Sequence, residues 1–185
     1  GEMKVTLVAR MLWDKGVGEF VEAIRVLKEK GLKVKACLVG EPDDSNPASI
    51  SLKQLEAWQQ EGVVKWEGHR NDINQVWAKS NIAVLPSYRE GLPKTLLEAA
   101  ACGRAMIATD VPGCRSIVIQ DETGVLVPAR NVDQLAVAIE NLIKAPSLRH
   151  EMGKRARLLV ERKFSDTVIN HEILELYNKL LRLDV

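Results

Sequence analysis

Ile82-Ala-Val-Leu85-Pro-Ser-Tyr-Arg-Glu90-Gly-Leu-Pro93-Lys-Thr-Leu-Leu-Glu98-Ala-Ala-Ala-Cys102-Gly-Arg-Ala105-Met-Ile-Ala-Thr109 reads as one strand–loop–helix–strand unit. Ile82–Leu85 is a short, fully apolar run that Pro86 stops, because proline has no N–H to continue a ladder. Pro93 suits a first helical position, where no backbone N–H is required. A helix is expected over residues 94–102, and Ala105–Thr109 forms the next apolar strand. Two buried strands joined by one helix are a parallel crossover unit.

The alternation extends in both directions. Upstream, strands are expected over residues 4–9, 34–39 and 63–66. Val17, Phe20, Val21, Ile24 and Leu27 recur at helical spacing and Gly31 closes that helix, while further helices are expected over 51–61 and 72–79. Downstream come one helical turn at 116–119 and a strand over Gly124–Val127. After Pro128 the pattern becomes helical: Val132, Leu135, Ile139, Leu142 and Ile143 mark one helix, residues 148–161 a second and 168–181 a third. The fold class is therefore α/β, a Rossmann-like doubly wound parallel sheet with flanking helices and C-terminal helices. Continuous apolar strands fit a sheet covered on both faces. Residues 1–185 show no repeat, low-complexity tract or linker, so one domain is expected.

Hydrophobic residues make up 46% and charged residues 28% of the 185, enough apolar material for a core. A net charge of +1 gives no global field that would attract nucleic acid, which is not expected as a partner. Cys37, Cys102 and Cys114 lack metal-ligand spacing and read as buried free thiols in a reducing, cytoplasmic compartment. No apolar run approaches ~18 residues, so no spanning helix is expected, and no signal peptide is expected in the opening residues Gly1-Glu-Met3.

In open parallel sheets, ligands bind beyond the carboxyl ends of the strands. The loop Arg10-Met-Leu-Trp-Asp-Lys15-Gly-Val-Gly18 puts two cations near a helix start, which suits a diphosphate; solvated loop charges are the alternative. Gly16-Val-Gly18 is not a dinucleotide fingerprint, since Val21 holds the third glycine position, and this disfavours a dehydrogenase. Glu90 and Glu98 border the loop and first turn after Leu85, where carboxylates accept from vicinal sugar hydroxyls. Acids at a helix start also complement its dipole, and Glu98 can pair with Lys94 at i,i+4 spacing. Asp43 and Asp44 beside Ser45 and Asn46 read as turn formers rather than metal ligands, and Asp72 as a helix cap.

Glu90-Gly-Leu-Pro-Lys-Thr-Leu-Leu-Glu98-Ala-Ala-Ala-Cys-Gly103 resembles the E-x7-E segment of glycosyltransferase family 4, retaining enzymes of the two-domain GT-B fold. Val8-Ala-Arg10-Met-Leu-Trp-Asp-Lys15-Gly16 is similar to that family's arginine and lysine-glycine loop. Ile107-Ala-Thr-Asp-Val-Pro-Gly113-Cys and Glu122-Thr-Gly124-Val-Leu-Val-Pro128 match its later segments in order and spacing. Ala105 departs from the pattern, where relatives often have proline.

The resemblance implies that this chain is the donor-binding, C-terminal half of such an enzyme, with the N-terminal acceptor domain absent from the sequence. Arg10 and Lys15 would neutralise the donor diphosphate, and Glu90 would hold the donor sugar. Gly16 belongs to the same loop; Gly91, Leu92, Pro93, Lys94 and Thr95 would line sugar and phosphate, Glu98 would bind the ribose, and Arg70 would flank the base. The implied donor is a nucleotide-diphosphate sugar, with UDP expected, and neither cofactor nor metal is called for. The implied acceptor is a polysaccharide, O-antigen or lipid-linked sugar, and peripheral association with the inner face of a membrane is expected for the full-length protein. The isolated half is expected to be inactive. The alternatives are a non-catalytic nucleotide-sugar-binding module and another GT-B enzyme, such as a nucleotide-sugar epimerase.

Overall fold

The computed structural model describes residues 2–165. Six parallel strands form a single sheet: β1 (Met3–Val8), β2 (Val34–Val39), β3 (Lys65–Trp66), β4 (Ile82–Leu85), β5 (Ala105–Thr109) and β6 (Gly124–Val127). Their spatial order is β3-β2-β1-β4-β5-β6. The chain winds outward from β1 in one direction, returns, and winds outward from β4 in the other, which is the doubly wound pattern. The reversal opens a crevice between β1 and β4, paired at Val5–Ile82 and Thr6–Ala83.

Seven α-helices accompany the sheet among the described residues: α1 (Val17–Glu29), α2 (Leu52–Gln60), α3 (Ile73–Ala78), α4 (Lys94–Ala101), α5 (Pro112–Arg115), α6 (Val132–Lys144) and α7 (Pro146–Lys163). On one face α1 packs on α6, and Phe20, Ile24 and Leu27 meet Leu135, Ile139 and Leu142 in one apolar cluster. On the other, α4 packs on α7, and Leu96, Ala99 and Ala100 join Ala156 and Val160. Covering both faces explains the apolar runs of β4 and β5, in which every residue is buried. Each fully buried Leu, Ile or Phe contributes roughly 1.5–3 kcal/mol relative to exposure.

Element boundaries follow local chemistry. Ser51 caps α2 by accepting from Gln54 N at 3.2 Å, and Asn131 caps α6 by accepting from Gln134 N at 2.9 Å. β3 starts at Lys65 rather than at 63, because the Val63 amide still closes α2 by donating to Trp58 O. The turn expected at 116–119 forms instead as α5, with Pro112 in its first turn and Ser116 as the closing residue. Proline's fixed φ starts the turn earlier than the apolar spacing suggests. Pro93 takes the N-cap of α4, one position before the expected one. Asp72 sits at the N-cap of α3 without a side-chain capping bond. Cys37 and Cys114 are buried free thiols, while Cys102 is only half-buried because it ends α4 beside the surface. The helix expected at 168–181, and His171 within it, lie outside the described residues.

Candidate functional site

Loops at the carboxyl ends of β1 and β4 meet over the crevice. After β1 the chain bonds sideways: Ala9 N donates to Val39 O, Met11 N to Glu41 O and Trp13 N to Ala48 O. A 3-10 turn at Trp13–Lys15 then delivers the chain to Gly16, which has φ +71°. A Cβ there would stand 2.1 Å from Pro86 O, so only glycine lets the two loops touch. Tyr88 N donates to Asp14 O at 2.9 Å and fastens the junction. Across it, Lys15 Nζ reaches Glu90 Oε1 at 2.7 Å, with the side chains only 22% and 11% exposed. So sheltered a pair is weakly screened, and it fixes both head groups at the point where strand order reverses.

Arg10 does not converge with Lys15. Its guanidinium turns outward to Asp43 Oδ2 at 2.7 Å and remains 59% exposed. Asp43 is held by Ser45, whose hydroxyl donates to Oδ1 at 2.6 Å, and by Arg10; both bonds keep its carboxyl below the usual range. That arrangement is the turn expected of Asp43 and its polar neighbours. Arg10 and Asp43 line a cleft of about 530 Å³ over the ends of β1, β2 and β3, together with Gly40, His69 and Arg70. Arg70 is not a free cation: it grips Asp72 through Nε and Nη2 at 2.7 and 2.6 Å and reaches Glu67 at 3.2 Å. Burial pushes the Glu67 carboxyl up, but Lys4, Lys65 and Arg70 together hold it below its ordinary value.

On the β4 side, Gly91 and Leu92 are exposed, Pro93 is buried, and α4 begins without a side-chain cap. Its first amides therefore have no intrahelical acceptor. Thr95 Oγ1 is buried there with no hydrogen-bond partner among the described residues, and so is Ser87 Oγ in the loop before it. Buried orphan polar groups at an open helix start are what an anionic ligand can satisfy. One turn on, the Glu98 carboxylate meets only Lys94 among the described residues, at 3.7 Å, with Lys94 87% exposed. Behind the loop, a Cβ on Gly113 would stand 2.1 Å from Gly91 O and 2.3 Å from Glu90 O. The short helix α5 thus props the Glu90–Gly91 backbone from beneath.

Residues 1–159 match the family model described as glycosyl transferases group 1. The chain belongs to the glycosyl transferases group 1 family. It is 35% identical over 178 residues to an N,N'-diacetylbacillosaminyl-diphospho-undecaprenol α-1,3-N-acetylgalactosaminyltransferase of Campylobacter jejuni, covering 96% of this chain and 45% of that protein. Sucrose-phosphate synthase from Thermosynechococcus elongatus superposes with a TM-score of 0.87 at 29% identity, over 98% of this chain and 46% of that one. The C-terminal domain of a glycosyl transferase group 1 protein, LpcC, from Francisella tularensis superposes with a TM-score of 0.75 at 28% identity, over 90% of this chain and 88% of that one. The chain spans about half the length of the curated relatives it matches.

In this group 1 domain the structure thus joins Lys15, Gly16 and Glu90 in one junction and sets Gly91 to Thr95 and Glu98 along its α4 side. Arg10 and Arg70 stand on the neighbouring cleft, engaged by Asp43 and Asp72. Two contributors carried no role in the sequence reading. Gly113 had a usable signal, since it stands in the Val-Pro-Gly motif. Ser87 matters through a hydroxyl left unpaired among the described residues, as is that of the already expected Thr95, which only packing reveals.

Proposed function

We propose that this domain is the donor-binding half of a retaining, family 4 enzyme that transfers a sugar from a nucleoside diphosphate to a glycan or lipid-linked acceptor. The observation that carries the reading is the sheltered Lys15–Glu90 pair at the β1/β4 crevice, beside the uncapped start of α4. Nucleotide and sugar each find chemistry there. The cleft at the ends of β1 to β3 takes the base and ribose, with Arg10 at its mouth and Glu98 accepting from ribose hydroxyls. The diphosphate lies between Lys15 and the Gly91–Thr95 amides, and Glu90 accepts from hydroxyls of the donor sugar.

In the reaction, the bond between the anomeric carbon and the diphosphate breaks and negative charge grows on the leaving phosphate. Fixed cations and helix amides aimed at that phosphate stabilise the transition state more than the ground state. Attack by the acceptor hydroxyl on the face the phosphate leaves gives retention. UDP is the nucleotide carried over from the family resemblance, and no metal ion is assigned because cations and amides supply the counter-charge. The acceptor is contacted largely by an N-terminal domain outside this sequence. Three unpaired cysteines support work in the cytoplasm, with the full-length enzyme docking peripherally on a membrane when its acceptor is lipid-linked. None of the helices among the described residues is long and apolar enough to cross one.

A thermal-shift screen of the full-length protein against UDP-, GDP- and ADP-sugars tests the donor class. A stabilising nucleotide is expected to lose its effect in Lys15→Ala and Glu98→Ala. Stabilisation that survives both substitutions would refute the site.

A further inference from the structure

The donor reading leaves a second cavity over the same crevice unused. It measures about 590 Å³ and shares no lining residue with the cleft beside Arg10. Its walls include Asp14 and Arg89, the residues immediately before Lys15 and Glu90, with Trp13, Tyr88 and Arg130. Trp13 is 43% exposed yet held fast: its ring meets Trp58 edge-on at 5.8 Å and lies against the Gly18 backbone. Arg130 occupies the left-handed region at φ +58°, rare for a residue with a side chain, and stacks its guanidinium 4.4 Å over the Tyr88 ring. Arg89 is exposed and has no ion-pair or hydrogen-bond partner among the described residues. Asp14 Oδ1 is buried with no donor among the described residues.

Together these make a rigid aromatic platform, an unpaired carboxylate oxygen and two guanidiniums. Aromatic faces take the apolar face of a sugar ring, a carboxylate takes its hydroxyls, and guanidiniums take phosphate oxygens in pairs. The donor diphosphate already has Lys15 and the α4 amides, so two further cations call for a second anionic group. We infer that this cavity is a subsite for the acceptor, a sugar carried on a diphosphate, with Arg89 and Arg130 on the diphosphate and Trp13 and Asp14 on the sugar. The inference rests on the proposed donor reading, and places part of acceptor recognition on the donor half of the enzyme.

The test is a tryptophan-fluorescence titration of this chain with farnesyl-diphospho-N-acetylglucosamine, a soluble short-chain prenyl diphosphate sugar, with and without saturating UDP. The probe should quench fluorescence with the same affinity in both conditions. Arg89→Ala and Trp13→Ala should each weaken it at least about tenfold, the scale of one lost charge-assisted hydrogen bond or stacking contact. Trp13→Phe should keep the affinity and lose most of the quench. Competition by UDP, absence of binding, or affinity within about twofold of wild type in both alanine variants would overturn the subsite. A parallel UDP titration of wild type and Lys15→Ala separates the two claims. Intact, Lys15-dependent UDP binding with no probe binding sinks only the subsite. Probe binding with no UDP binding leaves a cavity for prenyl diphosphate sugars and sinks the donor reading.

Discussion

Both edges of the sheet carry cations, and they treat them differently. Before β4 and β5, at the amino edge, a cavity of about 370 Å³ is lined by Arg104, Arg149, His150, Lys154 and Arg157. Its long cations are already engaged. Arg104 donates to Cys102 O and Ser80 O, Arg149 to Leu142 O and Ile143 O, while Lys154 and Arg157 pair with Glu151 and Glu161 on α7. At the carboxyl edge the cations Arg10, Lys15, Arg70, Arg89 and Arg130 are no fewer, but buried oxygens of Asp14, Ser87 and Thr95 there have no partner among the described residues, and neither has Arg89. The amino edge uses positive charge to close helix ends. The carboxyl edge leaves groups unsatisfied, and that marks a binding surface better than a count of charges.

The strongest way to break this contrast is turnover of the full-length enzyme. Lys15→Ala or Glu90→Ala should lower kcat about 100-fold or more, the scale of removing a preorganised charge from a developing anion. Lys154→Ala and Arg157→Ala, which remove only exposed pairs, should leave it within about twofold. Equal losses at the two edges would mean that the amino-edge cavity is functional and the contrast false.

A second pair of substitutions separates glycines with similar backbones. Gly16 and Gly31 both have positive φ, but only Gly16 faces backbone atoms; a Cβ on Gly31 meets open space. Gly16→Ala should therefore cost about 3 kcal/mol or more by urea denaturation, since two loops must separate. Gly31→Ala should cost roughly 1 kcal/mol, the left-handed strain alone. Similar costs at both positions would mean that the β1/β4 junction is not held by contact.

Alkaline pH probes the same edge. Burial, then the nearby Glu90 charge, pushes the Cys114 thiol up from 9.0 to about 11, and burial with Glu19 raises the Tyr88 phenol to about 12. Each raised group contributes stability that is present below its unfolded pKa and lost as pH rises through its folded one. For Cys114 the loss falls between about pH 9 and 11 and is on the order of 2 kcal/mol. Urea midpoints measured across that window should fall steeply in wild type and less steeply in Cys114→Ala. Parallel slopes would remove Cys114 from the account.

Much of this was legible in the chain. β2, β4, β5 and β6 lie where their apolar runs end against Gly, Pro or charged residues, because a strand covered on both faces leaves little choice of boundary. The Glu90 and Lys15 loops were legible too, since strand ends feeding helix starts are where ligands bind. What stayed hidden depends on distance in the sequence. Arg10 meets Asp43 across 33 residues and Lys15 meets Glu90 across 75, and no local rule pairs them. Nor does residue type reveal that Gly113 supports the Glu90 backbone, or that Trp13 is pinned by Trp58, since both facts come from packing between elements.

The smallest expected effect is the most diagnostic for Glu98. Its one ion-pair partner among the described residues, Lys94, is nearly all in water, and exposed i,i+4 pairs contribute roughly 0.2–0.5 kcal/mol. If the pair existed for helix stability, Lys94→Ala and Glu98→Gln would each cost about that amount and nucleotide affinity would not change. If Glu98 instead waits for ribose hydroxyls, the two substitutions part company. Lys94→Ala leaves nucleotide affinity unchanged or slightly tighter, because no ammonium competes for the carboxylate. Glu98→Gln weakens it about tenfold by replacing a charged acceptor with a neutral one. Calorimetric titration of both variants with the nucleotide found in the screen gives the answer. Equal affinities would return Glu98 to an ordinary helix-surface acid and confine the carboxyl-edge site to the Lys15–Glu90 junction.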